Sequence, residues 1–340
     1  MLPIASIAII GPMELLRPDV AASKKLKPRS IALDESISWG CSARGWNCCV
    51  DKTIAVEPYS LIRLRHATGK SSQALINEQL VTLHWQHGLL TGALAHVAYE
   101  SKQRACVFYE ELTNHDIRRI RDDEPDRYSS LPLAVQQAAD RDQASSYRVA
   151  GLCGVHTGRP EACRGFPFQR KPDWETRPDE SPAVQLNRCG TCALSGPTTP
   201  REVMLDNDLE EYWRADDAWR RVKLYLLSHG LADTSDPGYA ALPITPETRA
   251  ELWVSCFVPD GLPAVAERFP EQWQRPLDLE GDREILRIVL TNALDRVDAL
   301  VAEVGADPNA LGGDETTEPR PQVDRLLDPA RVMLPLLAAA

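Results

Sequence analysis

Residues 151–170 read GLCGVHTGRPEACRGFPFQR. Cys153 and Cys163 stand here among Gly, Arg and Pro, whereas a thiol that fills a core usually sits among aliphatic residues. Pro160 suits the first position of a helix, which puts Cys163 in or just beyond a first helical turn. Free amides and the helix dipole at such a place favour the thiolate, the form of cysteine that binds metal. Arg159 and Arg164 flank Cys163. Either their charge offsets that of a multi-thiolate centre and their N–H groups bond its sulfurs, or they form surface ion pairs.

Two more cysteine-rich stretches lie on either side. CSARGWNCC at 41–49 carries Cys41, Cys48 and Cys49, and CGTC at 189–192 carries Cys189 and Cys192. The two-residue gap of CGTC lets both sulfurs reach one metal. A thioredoxin-like redox pair has the same spacing, but no thioredoxin-like βαβ pattern surrounds it, which favours ligation. Adjacent side chains diverge in an extended chain, so Cys48 and Cys49 do not easily serve one tetrahedral ion together. Such a pair points to two neighbouring sites, a polynuclear cluster, or one ligand beside a bystander. Eight of the nine cysteines fall between Cys41 and Cys192. Eight thiols suffice for two four-sulfur sites, or for one iron–sulfur cubane with thiols left over. Cys256, in LWVSCFV, sits among apolar residues and reads as core filler.

The rest of the chain bounds the class. It has 340 residues, with 43% hydrophobic and 26% charged, as a soluble globular protein does. No apolar run is long enough to span a membrane. The opening MLPIASIAIIGPMELL lacks a basic segment and is interrupted by Pro3 and Pro12, so it is not read as a signal peptide. The expected compartment is the cytoplasm, where clustered cysteines are more often metal ligands or redox groups than disulfides. The net charge of −11 is uneven: residues 1–200 carry +2 and residues 201–340 carry −13. The acidic part argues against nucleic acid as a partner and reads as a solvated helical surface. A protein partner remains open, as does the oligomeric state.

The expected fold is α+β and mainly helical: a small β-hairpin and cysteine-bearing loops form a metal-binding core, with a helical C-terminal segment. Residues 1–30 read as a poorly ordered arm. PYSLIRLRHATG fits a short amphipathic helix started by Pro58 and stopped by Gly69. SSQALINEQL is a second helix with Ser71 or Ser72 as its cap. VTLHWQ, LAHVAYE and ACVFYEE read as strands, with Cys106 on the second strand of a hairpin. Residues 111–148 look like a charged insertion whose clear apolar helix is LPLAVQQAAD. The cysteine-cluster domain spans 31–199. A helical acidic segment spans 200–305, opened by one capped amphipathic stretch over TPREVMLDNDLEEYWRADDAWRRVKLYLLSHG that buries Tyr212, Trp213, Trp219, Val222 and Leu226. Residues 306–340 read as a disordered tail.

The segment from Cys153 to Pro167 resembles the C-x-I-Y-x-x-R-P-x-x-C-R-x-[FY]-P signature of the YkgJ-type cysteine-cluster family, whose members are described as zinc- or iron-chelating domains. CSARGWNCC resembles that family's opening C-x-x-C-x-x-C-C, and Cys106-Val107-Phe108 its C-P-F-L. The resemblance covers roughly 38–170. There are departures: Cys41 is one position early, Gly45 replaces the second cysteine, and His156 stands for a usual Tyr. CGTC is the candidate replacement for the ligand lost at Gly45. The resemblance implies metal binding. Through a distant relation to flagellin lysine N-methylase, it also implies an S-adenosylmethionine-dependent protein methylase-like alternative. However, the chain shows neither a Gly-rich nucleotide loop nor CxxxCxxC.

The candidate metal ligands are thus Cys41, Cys48, Cys49, Cys106, Cys153, Cys163, Cys189 and Cys192, with Arg159, Arg164 and His156 as candidate groups around the bound centre. His156 reads equally as ligand, acid–base group or structural histidine. The expected cofactor is an iron–sulfur cluster or iron, in a redox or modifying enzyme or a plain binding protein. The alternative is zinc in a structural interaction protein.

Overall fold

The computed structural model describes residues 29–38, 53–86, 89–98, 104–131, 136, 148–166, 168–170, 184–186, 197–231, 242–271 and 278–304. The 1–28 part of the expected arm, the 306–340 tail and most of LPLAVQQAAD lie outside them, as do Cys41, Cys48, Cys49, Cys189 and Cys192. The described chain is α+β and mainly helical, with small antiparallel sheets.

Helix α1 (Pro58–Thr68) begins with Pro58 in its first turn and ends at Gly69, whose φ of 64° closes it. It is not the amphipathic helix expected. Arg63 and Arg65 are buried along with Leu61, Ile62 and Leu64, because acidic partners from distant segments reach both arginines. Arg63 meets Asp282 at 2.7 Å and Arg65 meets Asp260 at 3.3 Å. Helix α2 (Ser72–Asn77) is capped by Ser71, whose side chain accepts from the Ala74 amide.

The strands follow in short runs. Strand β3 (Ala55–Val56) and β4 (Val81–Gln86) flank β5 (Leu89–Leu94) in one sheet. Gly92 is required there, since a Cβ would stand 2.5 Å from the Val56 carbonyl oxygen. Strand β6 (His96–Ala98) pairs with β7 (Arg104–Cys106), which makes the expected hairpin and puts Cys106 opposite His96. A turn at Val107-Phe108 leads to β8 (Tyr109–Thr113), which pairs with β9 (Arg148–Cys153). The charged stretch between β8 and β9 itself holds α3 (Asn114–Asp123) and α4 (Pro125–Ser130). Helix α3 shows little helical period in the sequence because it buries only Ile117 and Ile120 beside Asn114, although Thr113 and Asp116 cap it reciprocally.

Strands β1 (Arg29–Ile31), β10 (Phe168–Arg170) and β11 (Val184–Leu186) form a second sheet in the order β1-β11-β10. Strand β2 (Ile37–Ser38) pairs with β12 (Pro197–Thr198). A one-turn helix, α5 (Glu161–Arg164), precedes β10.

The C-terminal part opens with two helices where one continuous stretch was expected. These are α6 (Pro200–Asp206) and α7 (Leu209–Ser228). The chain turns between them because Asp208 adopts φ 51°, which breaks the backbone ladder. Tyr212, Trp213, Trp219, Val222 and Leu226 are all buried, and Gly230 ends the stretch at φ 70°. Helices α8 (Pro246–Ser255), α9 (Pro263–Arg268) and α10 (Leu279–Val304) complete the fold.

One large core joins α1, β3–β5, α7, α8 and α10. At its centre the Trp219 and Trp253 rings meet edge to face at 6.0 Å. Trp85 packs against Trp253 at 6.0 Å and Phe257 against Trp219 at 5.8 Å. Cys256 is buried in this core, where burial pushes its thiol up to about 12. A smaller core gathers Ile31, Ile37, Phe168, Val184, Val203, Met204, Leu209 and Trp213 between the β1-β11-β10 sheet and α6–α7. No helix among the described residues is long and apolar enough to cross a membrane.

Candidate metal centre

Strand pairing brings two cysteines far apart in sequence into one neighbourhood. Cys106 ends β7, the Val107-Phe108 turn follows, and Tyr109 opens β8 directly opposite Cys153. The Gly154 amide donates to the Phe108 carbonyl at 2.9 Å, holding Cys153 against the turn. Burial pushes the Cys106 thiol up to about 11. The Phe108 backbone opposes this, while the charge of a neighbouring Cys153 thiolate adds to it. Two thiolates this close repel each other in a poor solvent for charge. A cation between them removes that cost, since a coordinating thiol is deprotonated outright.

Cys163 lies ten residues beyond Cys153, in α5, half-buried against the same core as Cys106 and Cys153. The expected helix is a single turn with Pro160 as its N-cap rather than its first residue. The Cys163 amide donates to the Pro160 carbonyl at 3.0 Å and so is not free for a ligand. A helix this short also has little dipole to offer.

The loop between these cysteines is held on one side by α1. Gly158 packs so tightly there that a Cβ would stand 2.4 Å from the Arg63 carbonyl oxygen and 2.6 Å from the Ala67 Cβ. The Glu161 amide donates to Ser60 Oγ at 3.2 Å, and the Trp213 indole N–H donates to Glu161 Oε1 at 2.9 Å.

On the other side stand the arginines. Arg164 is buried; its Nε donates to the Arg159 carbonyl at 3.1 Å, its Nη2 to the Thr157 carbonyl, and its Nη1 to the Asn207 carbonyl at 2.9 Å. It also lies 3.6 Å from Asp208 and stacks 4.7 Å above the Tyr212 ring. Arg159 donates to Asn207 Oδ1 through Nη2 and to His156 Nε2 at 2.9 Å through Nη1.

An arginine can only donate, so His156 Nε2 must accept, and its proton sits on Nδ1. Burial first, then the charges of Arg159 and Arg164, hold His156 below its usual range, in keeping with a neutral ring. With Nε2 accepting and Nδ1 protonated, neither ring nitrogen offers a lone pair to a metal in this arrangement.

Among the described residues, no three His, Cys, Asp or Glu side chains stand together so as to hold a metal ion. The described ligand candidates therefore amount to the Cys106–Cys153 pair and Cys163, which packs against the same core. Gly158, Asn207 and Asp208 shape the site but carry no sequence signal that marks them, and Tyr212 is marked in the sequence only as a core residue. Comparison with family models, with curated proteins and with solved structures gave no match.

Proposed function

We propose that this is a metal-binding protein whose cysteine cluster holds an iron–sulfur or other iron centre. Its thiolates would come from Cys106, Cys153 and Cys163 together with Cys41, Cys48, Cys49, Cys189 and Cys192. One observation carries the reading: short antiparallel pairings anchor the ends of separate cysteine-bearing segments to one another.

Ser38, three residues before Cys41, pairs with Pro197, five residues after Cys192. Three and five extended residues reach at most about 11 and about 18 Å. Leu186, three residues before Cys189, pairs with Phe168, five residues after Cys163. At its other end the 41–49 stretch runs into β3. The partner strand of β3 continues to Ala95, whose carbonyl accepts from the Val107 amide beside Cys106. These ladders are two or three residues long and bury little on their own. Their common feature is the cysteines they bracket.

The donor chemistry suits the group. The thiols of Cys106 and Cys153 are close enough to repel as thiolates, and adjacent Cys48 and Cys49 suit a polynuclear centre better than one tetrahedral ion. The resemblance to YkgJ-type proteins supports the same ligands. Iron bound there would supply redox or Lewis-acid chemistry, and thiols kept reduced for it suit the cytoplasm.

Anaerobic purification, a visible spectrum and metal analysis test the reading. A brown protein absorbing near ~400 nm with stoichiometric iron is expected. A colourless protein with stoichiometric zinc would replace it with the structural zinc reading, and a metal-free one would end both.

A further inference from the structure

We infer that Asn207 is the positioning residue of the Cys153–Cys163 loop, and that Arg159 and Arg164 serve to lock this loop to the corner between α6 and α7. The functional half of this inference rests on the metal reading above.

Asn207 has four polar groups, and all four are engaged, its backbone N–H by the Leu205 carbonyl. Its Nδ2 donates to the Val203 carbonyl at 2.7 Å, which fixes which way the amide faces. Its Oδ1 then accepts from Arg159, and its backbone carbonyl accepts from Arg164 at 2.9 Å. Both arginines of the RPEACR run therefore end on one residue of the C-terminal helical part, more than forty residues downstream.

Arg164 also closes the loop on itself by donating to the Thr157 and Arg159 carbonyls. Cys163 is adjacent to Arg164 in the one turn of α5, so the clamp sets where its sulfur points. The Asp208 carboxylate and the Tyr212 ring complete the cradle around the guanidinium. Both guanidiniums bond to loop carbonyls, to His156 and to this corner. Their effect on a metal would come through the placement of Cys163 and Cys153. Polar groups that orient ligands in this way commonly change metal affinity by about 10–100-fold when removed.

Two variants of the full chain separate the possibilities. Asn207→Ala removes the acceptor for Arg159 and the tie to Val203, and leaves every thiol and every cation in place. Asn207→Asp restores an acceptor for Arg159. The first readout is alkylation of each cysteine by iodoacetamide in chelator-treated protein, followed by mass spectrometry. In Asn207→Ala the Cys163 rate is expected to rise several-fold through local opening, Cys256 is expected to stay slow, and Asn207→Asp should return Cys163 towards the parent rate.

The second readout is titration with cobalt(II), whose thiolate absorption reports ligand geometry. Asn207→Ala should bind about tenfold more weakly with shifted bands, and Asn207→Asp should recover both. Parent-like alkylation and parent-like cobalt spectra in Asn207→Ala would overturn the inference, and so would a failure of Asn207→Asp to recover either. If the parent chain itself shows no cobalt–thiolate band, the metal reading fails, and the Cys163 alkylation rates alone decide the positioning claim.

Discussion

Asp282 ties α10 to α1 from inside the core. Its carboxylate is fully buried, with Oδ2 2.7 Å from Arg63 Nη1 and Oδ1 2.6 Å from His66 Nε2. Arg63 Nε reaches on to the Tyr212 hydroxyl at 3.3 Å, and the Tyr212 and Tyr59 rings meet edge to face at 5.1 Å. Taking away the carboxylate leaves a buried guanidinium without its counter-charge, at a cost of about 3–5 kcal/mol. Asp282→Ala should show that loss in urea unfolding; a change under ~1 kcal/mol, the size of a surface pair, would contradict the central place given to this ion pair. Arg63 and His66 stand three apart on α1. Their partner is more than two hundred residues away, and nothing local to Asp282 marks it.

Glu57 makes a prediction about pH. Burial raises its carboxyl above the usual range, Asp216 pushes the same way, and Lys223 and the Trp219 indole oppose. The folded state then holds the Glu57 proton more tightly than the unfolded chain does. Its contribution to stability is present at low pH and is lost as pH rises from the ordinary carboxylate range through the raised value. Glu57→Gln, which can still accept from Trp219, should therefore gain on the parent between about pH 4 and about pH 7. Urea midpoints at the two pH values measure this, and a difference that does not grow with pH would contradict it.

At the scale of elements, helix ends were the most legible features. Pro58, Ser71, Gly69 and Gly230 mark boundaries because their backbone chemistry acts locally. The end of α2 departs from that rule. The Leu80 amide donates to the Leu75 carbonyl and the Gln79 amide to the Ile76 carbonyl, both at 2.9 Å, so Gln79 sits at φ 58° where glycine is usual. Exposed Gln79 makes a clean test: Gln79→Gly should raise stability by about 1 kcal/mol. An unchanged or lowered unfolding midpoint would show that the left-handed position carries no strain.

The Asn207-Asp208 corner was illegible for a related reason. A helix-favouring pattern runs through it, yet Asp208 takes φ 51°, and the two helices part there: α6 packs on the smaller core while α7 spans both cores. The short strands were illegible too, since two or three residues carry no period. Their pairing is decided by neighbours far along the chain.

For the whole molecule, the cysteine loop and the C-terminal helices form one body. The large core runs through both parts, and the arginine–Asn207 lock adds a polar seam between them. The sequence made the cysteine segments stand out by composition, but it could not show which ends are anchored together. If the centre links these segments, metal binding is coupled to folding. Chelation should then lower the unfolding midpoint, by about 3 kcal/mol of stability for metal held at a hundred times its dissociation constant. Cys153→Ser and Cys163→Ser should lose metal while Cys256→Ser keeps it, because Cys256 lies in the apolar core; equal metal content in all three would break the ligand assignment.

The most direct measurement of the central claim is X-ray absorption at the iron edge of the anaerobically purified full-length chain. The account predicts iron in stoichiometric amount with sulfur as its nearest neighbours. Iron surrounded only by oxygen and nitrogen, or a chain that retains no iron, would contradict it.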